Sequence, residues 1–246
     1  MSVVLVSRTE SKLIAVAEGI KKNYPNVEVK WIAADFSQLD VYDNIENQLK
    51  GLDIGVLVNN VGVACDDIQF FHETTRQFVK KQINVNVYAV TMMTHIILPS
   101  MVKKNRGLIV NVASVAGQLD PYLAVMYGSS KRYMKHFTYG LQLECAKQSP
   151  GVIVQDMAPW FVATNMAHAK GKRFPTMPTP QQFVSHAIRT IGLPFTHGHL
   201  EHEIEGFIIQ CLPDVVVKYG LILVATGLRK LAIHNKKKAQ AALKKQ

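Results

Sequence analysis

Short aliphatic, β-branched runs alternate with helix-period stretches along most of this chain. That alternation constrains the fold more than any single motif does. Candidate strands fall at 3–7, 27–33, 54–59, 108–113 and 152–156. Helical patterns lie between them at 10–23, 41–50, 74–101 and 126–148. Parallel strands need a long crossover, usually a helix, so this order predicts an α/β fold with a parallel sheet. Most of the strand runs are apolar, so the sheet is expected to be covered on both faces. Pro25 and Gly51 punctuate two helix ends.

With 246 residues, 48% of them hydrophobic, the chain suffices for one domain with a large core. Cys65, Cys145 and Cys211 are too few and scattered for a disulfide framework and suit a reducing compartment. Met1 leads directly into a strand-like run, so no signal peptide is expected. The net charge of +10 is uneven, because 229–246 hold seven basic residues and no acidic ones. The nearly neutral body that remains argues against nucleic-acid binding by the domain. The tail reads either as a solvated helical end or as an attachment to an anionic membrane surface. No segment is expected to reach the run of about 18 apolar residues that a spanning helix needs. The best candidate, 207–227, is interrupted by Pro213, Asp214 and Lys218 and suits a membrane surface or the domain's own flank.

Tyr127-Gly128-Ser129-Ser130-Lys131 carries the chemistry. Residues four apart share a helix face, so the Lys131 ammonium can favour the Tyr127 phenolate. That draws a phenol from its usual value of about 10 toward the range where it exchanges protons near neutrality. Three segments surround this pair in sequence. Val56-Leu57-Val58-Asn59-Asn60-Val61-Gly62 is a strand ending in Asn-Asn-x-Gly. Ile83-Asn84-Val85-Asn86 lies inside a helical stretch. Gly107-Leu108-Ile109-Val110-Asn111-Val112-Ala113-Ser114 is a strand whose serine precedes Tyr127 by 13 residues.

This order resembles the short-chain dehydrogenase/reductase family. Within it, the chain looks like the branch of microsomal 17β-hydroxysteroid dehydrogenases and very-long-chain 3-oxoacyl-CoA reductases. Leu5-Val6-Ser7-Arg8-Thr9-Glu10-Ser11-Lys12-Leu13, Ala34-Asp35-Phe36 and Pro159-Trp160-Phe161-Val162-Ala163-Thr164 carry the branch resemblance. It implies a Rossmann-type doubly wound parallel sheet, with the chain opening at the family's second strand. The family's Thr-Gly-x-x-x-Gly-x-Gly turn, which binds the cofactor pyrophosphate, has no match among the 15 glycines. The expectation is therefore an N-terminally truncated domain whose strands at 3–7 and 54–59 each lose a hydrogen-bonded neighbour. A fragment, a splice variant and a member that binds cofactor differently all fit that reading.

The resemblance also assigns roles. Tyr127 is the expected general acid, Lys131 its electrostatic partner and a ligand of the nicotinamide ribose, and Ser114 the donor to the substrate carbonyl. The family's helix asparagine has two candidates, Asn84 and Asn86, and the spacing to Pro99 favours Asn86. Asn59, Asn60 and Gly62 are expected under the adenosine, with Asp35 near the adenine and Pro159 and Thr164 near the nicotinamide. Arg8, after the second family strand, suits a 2′-phosphate, so NADPH is the expected cofactor. His197, His199 and His202 with Glu201 and Glu203 match no recognised zinc spacing, and no metal is expected.

One domain is expected over 1–228, with a substrate loop at about 159–180 and a helical region at about 203–228, followed by the basic tail 229–246. The implied activity is reduction of a ketone on a lipid, either a 3-oxoacyl-CoA or a 17-ketosteroid. Lys170, Lys172 and Arg173 in the loop suit CoA phosphates or solvent equally. The competing class is a catalytically silent isoform or scaffold. The resemblance places the protein at the cytosolic face of the endoplasmic reticulum membrane, with a cytoplasmic location as the alternative, and suggests pairing of two copies through long helices.

Overall fold

The computed structural model describes residues 2–64, 68–164, 166 and 177–243, with side chains as far as His234. Cys65, the loop cations Lys170, Lys172 and Arg173, and the terminal Lys244 and Lys245 lie outside the described residues. Six strands are β1 (Ser2–Ser7), β2 (Glu28–Ala33), β3 (Val56–Asn59), β4 (Gly107–Val112), β5 (Val152–Met157) and β6 (Phe195–Thr196). The helices are α1 (Glu10–Asn23), α2 (Tyr42–Leu49), α3 (Arg76–Ile83), α4 (Ala89–Lys104), α5 (Val125–Gln148), α6 (Pro180–Ala187), α7 (Leu200–Cys211) and α8 (Asp214–Leu243).

Local chemistry sets several boundaries. Glu10 opens α1 and Lys21 and Lys22 close it, matching the helix dipole at both ends. Thr179 and Gln182 form a reciprocal capping box on α6, with Pro180 in its first turn. Asn105 stops α4 in the left-handed conformation (φ 48°), and its Oδ1 accepts the Gly151 N–H at 2.9 Å. A Cβ on Gly151 would stand 1.9 Å from the Asn105 carbonyl oxygen, so only glycine lets β4 and β5 start side by side.

All strand pairs are parallel, in two groups: β2–β1, and β3–β4–β5–β6 in that order. β1 pairs only with β2, and β3 only with β4, among the described residues. One core cluster joins Ile45 of α2, Ala89, Met93, Ile97 and Met101 of α4, Leu57 of β3, and Ile109 of β4. Val4 and Val6 of β1 pack on that same cluster, which ties the two groups of strands to one helical layer.

The opposite face departs from the expectation of full cover. Phe183 and Ala187 of α6 pack on Val110 and Met157, and among the described residues this cover stops short of β3. Val56 and Val58 are 51% and 57% exposed there. The register places Val56, Leu108 and Ile153 in one row, and Ile153 is also exposed.

The helical run expected at 74–101 is also interrupted. A 3₁₀ turn at Phe71–Glu73 precedes it, and a π turn at Asn84–Tyr88 divides α3 from α4. As a whole, Arg76–Lys104 is long and apolar enough to cross a membrane by length and composition, which corrects the expectation that no segment is. Its packing explains the composition: Ala89, Val90 and Met101 are fully buried in the core. The helical region expected at about 203–228 comprises α7 and α8, bent by 119° at Leu212 and Pro213.

Candidate active site

The expected site residues follow the carboxyl ends of five parallel strands, the edge where ligands bind in open α/β sheets. Arg8 follows β1, Asp35 follows β2, Asn60 and Gly62 follow β3, Ser114 follows β4 and Pro159 follows β5. The β2 segment continues toward the site because the Ala34 N–H bonds the Ser7 carbonyl at 3.0 Å. Arg8 is exposed. The Ser37 N–H bonds Asp35 at 3.0 Å and holds its carboxyl below the usual range, with the Ser37 hydroxyl, Arg8 and Lys81 adding to that effect against burial.

Two glycines bring the Ser114 turn onto α5. A Cβ on Gly117 would stand 2.5 Å from the backbone carbon of Lys131, and one on Gly128 would stand 2.3 Å from Pro121 Cβ. The turn at Val115–Gly117 therefore lies directly on the segment bearing Tyr127 and Lys131. The Ser114 hydroxyl accepts the Ala116 N–H at 3.2 Å, which shapes the turn. The Val115 N–H bonds the Pro159 carbonyl at 3.2 Å, joining this turn to the loop after β5. At that loop's two ends, the Ala163 N–H bonds the Pro178 carbonyl and the Thr164 N–H bonds the Val162 carbonyl.

Lys131 is 5% exposed. Its Nζ donates to the Val112 carbonyl at 2.8 Å and lies 5.9 Å from the centre of the Tyr127 ring. Burial pushes the ammonium down to about 8, with Asp156 opposing. Asp156 on β5 is fully buried, and burial pushes it up to about 6 against the pull of Lys135 and Lys131.

Asn86 sits in the π turn, fully buried. Its Oδ1 accepts the Val63 N–H at 2.8 Å, and its Nδ2 donates to the Val63 carbonyl, Gln82 Oε1 and Ser130 Oγ. A Cβ on Gly62 would lie 3.6 Å from both Asn86 Oδ1 and Lys131 Nζ, so these three residues meet. Asn84 faces elsewhere, its amide donating to the Ser37 carbonyl at 2.8 Å. Asn59 is also engaged inside the fold. Its Nδ2 donates to Thr94 and to Asn111, and Asn111 donates to Thr138, so these amides pin β3, β4, α4 and α5 together.

Ser130, which was not singled out from the sequence, bridges the site. Its hydroxyl donates to the Tyr127 carbonyl at 2.7 Å and accepts from Asn86. Its place three residues after Tyr127 was a readable helical spacing. The packing roles of Gly117 and Gly128 had no such local mark.

The histidines near the C-terminus stack and pair with carboxylates. His186 stacks on His199 at 4.3 Å, His197 bonds Glu203 at 2.7 Å, and His199 pairs with Glu201. Among the described residues, no three of His, Cys, Asp and Glu are grouped to hold a metal ion.

The family model "short chain dehydrogenase" matches residues 1–174. The chain belongs to that oxidoreductase family, and its fold is the Rossmann fold of solved family members. It falls in the branch of very-long-chain 3-oxoacyl-CoA reductases and hydroxysteroid dehydrogenases. It is 41% identical to the human very-long-chain 3-oxoacyl-CoA reductase over 219 residues, 87% of this chain and 68% of that protein. It is 36% identical to the Gallus gallus hydroxysteroid dehydrogenase-like protein 1 over 243 residues, 97% of this chain and 72% of that protein. The solved short-chain dehydrogenase from Sphingobium yanoikuyae in complex with NADPH superposes with a TM-score of 0.69 at 26% identity, covering 77% of this chain and 74% of that one.

Proposed function

We propose that this chain reduces the ketone of a 3-oxoacyl-CoA, using Tyr127 as the proton donor. The observation that carries the reading is the buried Lys131 ammonium, fixed by Val112, beside the Tyr127 ring and in company with Asn86 and Gly62. Tyr127 gives its phenolic proton to the carbonyl oxygen. Ser114 donates a hydrogen bond to that oxygen as charge develops on it. Lys131 stabilises the phenolate left behind. Asn86 and Ser130 hold the segment that carries both groups.

The residues present fit NADPH at its two ends. Exposed Arg8 suits the 2′-phosphate, with Asp35 beside it. Lys131 suits the nicotinamide ribose, Asn60 and side-chain-free Gly62 suit the floor under the adenosine, and Pro159 and Thr164, in the loop after β5, suit the nicotinamide. Asn59 supports this floor through the backbone it anchors. When bound, the cofactor supplies the hydride to the carbonyl carbon.

The name of the human relative supports the acyl-CoA substrate. The name of the Gallus gallus relative supports a ketosteroid as the second substrate reading. A non-catalytic binding protein is the competing class. The cytosolic face of the endoplasmic reticulum membrane is the location we propose, by its branch.

Fluorescence titration with NADPH tests the site. Saturable binding is expected, weakened at least tenfold by Lys131→Ala and by Arg8→Ala. Turnover of a 3-oxoacyl-CoA and of a 17-ketosteroid is then compared. Binding without turnover of either sinks the substrate reading. No binding to the folded chain sinks the reductase reading and leaves the binding protein.

A further inference from the structure

α7 is amphipathic with its faces reversed. His202 and Gly206 are buried against the body. Leu200, Ile204, Phe207 and Ile208 lie outward, 64%, 51%, 69% and 52% exposed, at the spacing of one helical stripe. α8 continues the pattern after the 119° bend. Residues 219–228 carry no charge, and Tyr219, Leu223 and Val224 are exposed, Leu223 by 75%. An exposed apolar surface of this extent marks a docking site.

Three observations choose the occupant. First, the sequence after Asp214 contains no acidic residue and carries Lys218, Arg229, Lys230 and the run Lys236-Lys237-Lys238. Glu201, Glu203 and Glu205 all lie in the first half of α7, so the stripe of α8 alone has only basic flanks beyond Asp214, and it is this arm that fits an anionic lipid surface. Second, no straight partner helix can follow both arms of a 119° bend. Third, α8 is pinned at both ends of its uncharged stretch. Val217 and Leu221 help to wall a cavity of about 350 Å³ with Val115 and Trp160. Arg229 bonds Glu73 at 2.6 Å and lies over the Phe70 ring at 4.3 Å. A helix held along the domain at both places lies on a membrane rather than across it.

We infer that the outward stripes of α7 and α8 are a docking surface for an anionic lipid bilayer, with the helix pair lying in the interface. The inference deepens the membrane location proposed above and stands apart from the catalytic reading. The cavity walled by Val115 and Trp160 shares Val217 and Leu221 of α8 with this element, so docking brings the cavity close to the lipid.

The test is co-flotation of the full chain with phosphatidylcholine vesicles, with and without phosphatidylserine. Binding is expected, and stronger with phosphatidylserine. Phe207→Ser with Leu223→Ser is expected to weaken it about tenfold or more. Lys236→Gln with Lys237→Gln and Lys238→Gln is expected to remove only the phosphatidylserine dependence. Phe207→Trp and Leu223→Trp, which keep the stripe apolar, are expected to bind and to be quenched by brominated lipid. Turnover of a short, water-soluble 3-oxoacyl thioester by the serine variant should match the parent chain, which separates docking from catalysis. The inference is overturned if the chain floats with neither vesicle or if the serine variant floats like the parent. It is also overturned if those substitutions merely convert a dimer to a monomer in light scattering.

Discussion

A buried ammonium destabilises the fold that holds it, and Lys131 is such a group. Its folded value of about 8 lies below the usual 10.5. Between those values the unfolded chain holds this proton more tightly, so its contribution makes stability rise with pH there, by about 3 kcal/mol in all. The penalty is fully present below pH 8. Lys131→Met is therefore expected to melt at or above the parent temperature at pH 7 while losing about 10²-fold or more in turnover. A variant that melts several degrees lower and keeps its turnover would show that Lys131 serves packing. Asp156 acts at the other end of the scale. Its folded value of about 6 lies above the usual 3.8, so its contribution falls as pH rises from about 4 to 6. Urea midpoints of Asp156→Asn should lack that fall. These two positions were unevenly legible. Lys131 was marked by its distance from Tyr127, whereas Asp156 is an acid in a strand, and only the tertiary fold sets the lysines near it.

Elements are positioned here by contacts that leave little trace in local sequence. α1 was readable to the residue, Glu10–Asn23, because acidic and basic residues mark its ends. The π turn at Asn84–Tyr88 was not, since its two inward amides find partners on different segments, Ser37 for Asn84 and Val63 for Asn86. β6 is two residues long and exists through its pairing with Asp156 and Met157, so no alternating pattern announces it. The approach of the Ser114 turn to α5 depends on Gly117, whose missing side chain makes room for the Lys131 backbone. Gly117→Ala is expected to cost about 1–3 kcal/mol in urea unfolding. It is also expected to lower turnover by moving Ser114. Gly140, in the same helix α5 with nothing within 4 Å, is the control. Gly140→Ala should stabilise by about 0.5–1 kcal/mol and leave turnover alone. Equal effects from the two substitutions would mean that the close approach at Gly117 is unimportant.

At the scale of the whole molecule, the sheet is joined by helices where it is not joined by hydrogen bonds. β4 is paired on both sides, while β1 and β3 each have one partner among the described residues. An edge strand presents part of its N–H and C=O groups unpaired. What ties β1 and β2 to the rest is packing of Val4 and Val6 on the cluster shared with α2 and α4. Such a unit opens at a lower free energy than a strand paired on both sides. Native-state hydrogen exchange should therefore show β1, β2 and α1 opening together, before β4 and β5. The same arrangement predicts how β3 tolerates change. Val58→Thr on the uncovered face should alter stability by no more than about 0.5 kcal/mol. Leu57→Ala, on the covered face and in the core cluster, should cost about 2–5 kcal/mol. Equal exchange protection across β1 and β4, together with a large cost at Val58, would mean that the two groups of strands form one cooperative sheet in solution. The apolar strand runs announced a sheet buried on both faces, and they were right about pairing direction. They could not announce where the cover stops, because that depends on how far α6 reaches across β4 and β5 and not on anything within β3 itself.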